Sequence, residues 1–256
     1  YRMVLRSKPD DLTRYQTQTK IGAVQELTDD LEGAMATYSQ LERAKRFKHY
    51  QPKVRLKIAN VYRLTGDTDG SLAAYKKIIT DNPLTQESAE SYYQIALIEY
   101  QVRRNNEAAM ELLAKARKER STSEAAVKAR ELERTLFQLD KFKKKAEKDN
   151  KQGNEALFSI AEIYLFSLGE VDSALRSYER ILARPDNNIL TAKALYGMAL
   201  IYADSLDNQE ESNRLFQKLI ADYPVTPYAI DARERTNEDR SDDILAEARY
   251  IEAEVL

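Results

Sequence analysis

The 256 residues contain no cysteine, no tryptophan and a single histidine, His49. Without cysteine there are no disulfides, no thiolate nucleophile and no cysteine metal site. This is compatible with an oxidising compartment without demonstrating one. Seven glycines and six prolines are few for such a length, and so few breakers argue for helices joined by tight turns, not for strands and hairpins. No run approaches the roughly 18 consecutive apolar residues of a membrane span, and no signal peptide is visible. The formal net charge is only −2, so the chain as a whole is not an evident nucleic-acid binder. What it does have is 43% hydrophobic residues, 32% charged residues and 16 tyrosines.

These residues recur with a period. LTDDLEGAMATY at 27–38 and LTGDTDGSLAAY at 64–75 match 37 positions apart. A small residue followed four positions later by a large one marks each copy: Ala34 and Tyr38, Ser71 and Tyr75, Ala109 and Leu113, Ala174 and Tyr178, Ser212 and Phe216. The preceding segment has its own marker, Ala59 with Tyr62, Ala161 with Tyr164, and Ala199 with Tyr202. A fixed period in this range means stacked helical hairpins. The small residue lets two helices approach, and the aromatic one turn later fills the gap toward the neighbouring hairpin. Gly66 and Gly169 fall where a first helix must end in an open or left-handed conformation. Pro83, Pro185 and Pro224 close units.

The order of small residue, tyrosine, glycine, small residue, aromatic and proline resembles the tetratricopeptide repeat (TPR) over nearly the whole chain. The resemblance implies an all-α fold, a right-handed superhelical solenoid of helical hairpins. The family's tryptophan is missing, and its Leu-Gly pair is replaced by pairs such as Ile58-Ala59. The turn at Gly169 holds one more residue than the turn at Gly66, and Glu99, with Tyr100 beside it, stands where a tyrosine is expected.

Four regions follow: an N-terminal repeat block at 1–120, a long charged linking helix at 121–151, a second block at 152–236 and a capping helix at 237–256. YRMVLRSKP at the start aligns with YKKIITDNP at 75–83, so the chain reads as opening on the second helix of a repeat, and a longer parent protein is expected. Thr122–Asn150 lacks glycine and proline and carries apolar residues every three or four positions. That pattern suits one long helix, with a repeat broken near Leu139 as the alternative. SDDILAEARYIEAEVL, from Ser241, reads as a Ser-capped amphipathic helix able to close the open end of the stack.

Nothing in the sequence asks for catalysis, a cofactor or a metal. His49 has no evident carboxylate or cysteine partner and reads as a surface residue. DTDG at 67–70 has a partial calcium-loop look, but Leu72 and Tyr75 interrupt the alternation of oxygen ligands that such a loop needs, and a repeat turn explains it better. Charge is unevenly placed. Residues 103–151 hold 15 basic and 9 acidic side chains, whereas 204–256 hold 6 basic and 14 acidic. The run Lys141, Lys143, Lys144, Lys145 and Lys148 reads first as a solvated helix face, because Asp140, Glu147 and Asp149 are interleaved. A nucleic acid or anionic membrane, or the acidic end of a second copy, are the other readings.

In the family, first helices line a concave face that holds peptides. Carried onto this chain, the resemblance nominates Lys53, Asn60, Arg63, Tyr93, Tyr100, Phe158, Phe166 and Tyr196. Leu56 stands where the family's carboxylate clamp needs lysine, so that clamp is incomplete. KLIADYPVTPYAIDARERT at 218–236 resembles the DYP-x-SPYA-x-DA signature of TPR proteins of the bacterial envelope. Lipoproteins of the outer-membrane β-barrel assembly machine and coordinators of the Tol-Pal system are among them. The resemblance implies a periplasmic or outer-membrane-attached scaffold, with any lipidated cysteine upstream of Tyr1; a cytoplasmic location is the alternative. The expected partner is a protein or peptide, not a nucleic acid, and self-association is open. The rival reading is a TPR domain of a larger enzyme or regulator whose active part lies elsewhere.

Overall fold

The chain is described by a computed structural model at residues 1, 3, 5, 9–148, 151–184 and 188–236. The N-terminal helix expected at 1–9, the helix-closing role of Pro185 and the capping helix from Ser241 lie wholly or partly outside the described residues. Every regular element among the described residues is helical. Two units divide the contacts, Tyr1–Leu136 and Phe137–Leu256.

In the first unit α1 (Asp11–Leu27) pairs with α2 (Leu31–Arg43), and a short 3-10 segment, Lys45–Tyr50, leads on to α3. Then α3 (Gln51–Leu64) pairs with α4 (Thr68–Asp81), and α5 (Gln86–Gln101) with α6 (Asn106–Glu119). Next comes α7 (Glu124–Ala146), one helix of 23 residues within which the division between units falls. In the second unit α8 (Lys151–Glu162) continues through a wide turn, Ile163–Leu168, and pairs with α9 (Val171–Leu182). There α10 (Asn188–Asp204) pairs with α11 (Gln209–Asp222), and residues 227–236 are again helical.

The small marker residues sit where the helices approach. Ala34, Ser71, Ala109, Ala174 and Ser212 have no exposed surface, and neither do Ala59, Ala161 and Ala199 on the first helices. Each aromatic packs on the first helix of its own hairpin as well as toward the next. Tyr38 lies so close to Gly22 of α1 that a Cβ there would meet its ring at 2.5 Å. Tyr75 shares a core with Ala59 of its own hairpin and with Ile95 and Ile98 of the next. Tyr178 stacks obliquely on Phe158, ring centroids 5.3 Å apart, while Gly197 of α10 passes its other edge.

Each intra-hairpin turn consists of a residue with left-handed backbone followed by the residue preceding the second helix. Glycine takes the left-handed place at Gly66 (φ +81°) and Gly169 (φ +67°), where a side chain would be strained. Asp29, Arg104 and Asp207 take it in the other three hairpins. The next residue caps the second helix in four of the five. Asp30, Asp67, Asn105 and Asn208 accept backbone N–H bonds from Gly33, Gly70, Ala108 and Glu211. Asp67 is therefore a helix cap, with Oδ1 2.8 Å from the Gly70 nitrogen. In the first turn the Asp30 N–H bonds the Gln25 carbonyl, five residues back, a Schellman closure. In the later three the N–H of Asn105, Glu170 and Asn208 reaches one residue further, to the carbonyls of Glu99, Tyr164 and Tyr202. The wide turn before Gly169 has the Gly169 N–H bonded to the Tyr164 carbonyl, five residues back.

Two side chains stitch neighbouring elements. Arg55 of α3 bonds Glu42 of α2 at 2.9 Å and Asp81 of α4 at 3.1 Å. Arg184, after α9, donates to the carbonyl of Ala146 at the end of α7 (2.8 Å) and to the buried Asn154 of α8 (3.0 Å). Its cation thereby meets the negative end of the α7 dipole.

The hydroxyl of Ser212 is buried and has no hydrogen-bond partner, where three other hairpins carry alanine. Ser212→Ala is expected to stabilise the protein by about 1 kcal/mol, since it removes an unsatisfied buried group and raises helix propensity. Gly66→Ala is expected to cost about 1 kcal/mol through left-handed strain. Urea midpoints of the two variants should move in opposite directions.

Candidate functional site

Consecutive first helices of the first unit bring a row of polar and aromatic side chains together. Asn60 on α3 accepts the Tyr75 hydroxyl at 2.6 Å. Arg63, one turn further along α3, stands beside the same phenol with Glu90 of α5. Gln94 donates to Glu90 at 2.7 Å, while its own Oε1 is buried without a partner. Tyr93 lies among Glu90 of its own helix and Lys128 and Glu131 of α7. Lys128 is tied to Glu124 at 2.7 Å, and α7 is held to α6 through Arg117 and Glu133. The row therefore crosses α3, α5 and α7 with alternating sign. It offers a half-buried aromatic among charges of both signs, a surface suited to holding a peptide chain.

The nominated residues divide. Asn60, Arg63 and Tyr93 belong to this row, and Lys53 is exposed at the start of α3. Tyr100 and Phe158 are a correction. They are 4% and 7% exposed, so they pack between helices and offer no face to a partner. Phe158 is covered by Tyr178 and by Lys193, whose Nζ stands 3.9 Å from the ring centroid. Tyr196 is half-buried against Phe216 and Tyr228 and donates its hydroxyl to Asp231. Arg235 bonds the same carboxylate, so Tyr196 serves chiefly to hold residues 227–236 onto α10. Phe166 is 77% exposed on the wide turn. His49 is exposed in the 3-10 segment. Glu90, Gln94, Lys128 and Glu131 were not foreseen. Their only trace in the sequence is the i, i+3 or i+4 spacing of each pair, which any solvated helix shows. A separate groove of about 670 Å³ between α2 and α3, lined by Leu31, Met35, Val61 and Tyr62, contains none of the nominated residues.

Three segments, 53–85, 155–187 and 193–224, match the tetratricopeptide repeat family. These three segments are similar to tetratricopeptide repeats. The matched segments correspond to the hairpins α3–α4, α8–α9 and α10–α11, and the remaining two hairpins share their turn geometry without matching. TPR hairpins generally act as non-catalytic scaffolds for protein or peptide partners, and no described helix is long and apolar enough to cross a membrane. No curated protein matches the sequence. Solved structures with similarity include a TPR protein from Parabacteroides merdae, 16% identical over 91% of this chain and 88% of that one, with a TM-score of 0.43. PilW, described as a widely conserved type IV pilus biogenesis factor, is 14% identical over 87% and 99%, with a TM-score of 0.45. YrrB, described as a TPR protein with an unusual peptide-binding site, is 16% identical over 91% and 96%, with a TM-score of 0.33.

The buried repeat tyrosines give the core a pH limit. Burial pushes the phenols of Tyr75 and Tyr178 up to about 12, and that of Tyr38 up further still. A phenol with a raised pKa favours the folded state while neutral. Its contribution is intact below about pH 10 and is lost as the pH climbs through 12, at about 3 kcal/mol per tyrosine. Helicity followed from pH 9 to 12.5 should collapse together with the rise of tyrosinate absorbance. Tyr178→Phe should make that collapse shallower.

Proposed function

We propose that this chain is a non-enzymatic TPR scaffold that holds a protein segment against the row formed by α3, α5 and α7 of its first unit. The observation that carries this reading is the half-buried Tyr93 with Glu90, Lys128 and Glu131 around it, and Arg63 with Glu90 beside the neighbouring Tyr75 phenol. The alternating charges favour a segment that carries both signs and an apolar residue opposite Tyr93. A photo-reactive amino acid placed at position 63, 93 or 131 should give adducts in cells, whereas one at exposed Lys76 on α4 should not. Equal adduct yields at all four positions, or none at any, would overturn the assignment.

The setting we propose is the bacterial cell envelope, in a periplasmic or outer-membrane-attached assembly. Its support is the resemblance of residues 218–236 to the envelope TPR signature. Fractionation of cells expressing the epitope-tagged parent gene should recover it with the envelope. Recovery in the cytosol would reject this setting and leave the scaffold reading intact.

A further inference from the structure

The wide turn after α8 presents a second surface, separate from the row on the first unit. Ile163 and Phe166 of that turn and Phe142 on α7 line an open groove of about 410 Å³, together with Gln138, Ser159, Glu162 and Ser167. Lys145 stands over the Phe142 ring at 5.8 Å, and Lys141 lies one turn before it on the same exposed side of α7. Lys144 is paired with Asp140, but neither Lys141 nor Lys145 has a carboxylate partner among the described residues. A groove with two aromatic rings, one acid at Glu162 and flanking lysines that have no carboxylate partner among the described residues suits an amphipathic segment whose acidic face meets the lysine side.

The chain itself contains such a segment. Residues 241–256 hold five acidic side chains and one basic one, and Ile244, Leu245, Ala248 and Ile251 share one face at helical spacing. The root of this segment is fixed on α10 in its own molecule by Tyr196, Asp231 and Arg235, not on the helices that form the groove. We infer that the groove between α7 and the wide turn receives residues 241–256 of a second copy of the chain. The contact is heterologous, acidic end to basic middle, so a pair of copies keeps one free groove, on one copy, and one free tail, on the other. The apolar stripe fills the floor over Phe166, and Asp242, Asp243 and Glu247 meet the lysine side.

Sedimentation of the full chain at low salt should show concentration-dependent association, weakened about tenfold at high salt as the charges are screened. Phe166→Asp alters an exposed side chain, so its fold is expected to persist by circular dichroism and the variant to remain monomeric. A chain ending at residue 240 should also remain monomeric. Mixed together, these two variants should form a one-to-one pair, because one supplies the tail and the other the groove. Lys141→Glu/Lys145→Glu should behave like Phe166→Asp. A wild-type chain monomeric at every concentration, including one whose tail closes on its own groove, would overturn the inference. So would association that survives both Phe166→Asp and tail removal.

Discussion

Every hairpin of this protein depends on one contact, that of a small residue on the second helix against the facing first helix. Ala34, Ser71, Ala109, Ala174 and Ser212 are all fully enclosed. At these places the backbones approach so closely that an added methylene would force the helices apart. The aromatic one turn later can reach across only because that approach is close. Tyr38 against Gly22 and Tyr75 beside Ala59 repeat the contact at a separation of 16 residues. Enlarging the small residue would therefore lose two sets of packing together, its own and that of the aromatic.

That contact also accounts for how much of the fold could be read from sequence. A small residue and a large apolar one at fixed spacing survive as letters and mark all five hairpins, the large one being aromatic in four and Leu113 in the other. The turns are less legible, because the physical requirement is a left-handed backbone and only glycine announces it. Gly66 and Gly169 do so, while Asp29, Arg104 and Asp207 satisfy the same requirement with side chains that carry no such signal. Asp-Asp at 29–30 reads as a turn and N-cap pair, and the structure divides the two roles: Asp29 takes the left-handed place and Asp30 caps α2.

The candidate site was legible only in part, for a different reason. Position in the repeat identifies which residues face inward on a first helix, but it does not say how deeply each is covered by the next hairpin. Asn60, Arg63 and Tyr93 remain accessible, whereas Tyr100 is enclosed within the first unit and Phe158 lies under Lys193 and Tyr178. Lys128 and Glu131 were obscured because α7 has the composition of a charged linker. Its N-terminal half nonetheless packs on α6 and completes the row begun on α3 and α5.

The extra residue noticed before Gly169 proves to be general. From the small residue of the first helix to the left-handed residue of the turn, the separation is seven at Gly22–Asp29 and Ala59–Gly66. It is eight at Ala96–Arg104, Ala161–Gly169 and Ala199–Asp207. All three longer turns carry the six-residue closure to Glu99, Tyr164 or Tyr202, so the added residue is absorbed at the end of the first helix and the core spacing is kept. Only before Gly169 does the widening extend back over a full turn, Ile163–Leu168. A widened helix cannot direct all its side chains inward at the usual interval, and the residue it releases here is Phe166. The same adjustment that preserves the repeat therefore places an aromatic in solvent beside a lysine-rich helix. A hairpin with the shorter turn would not do so.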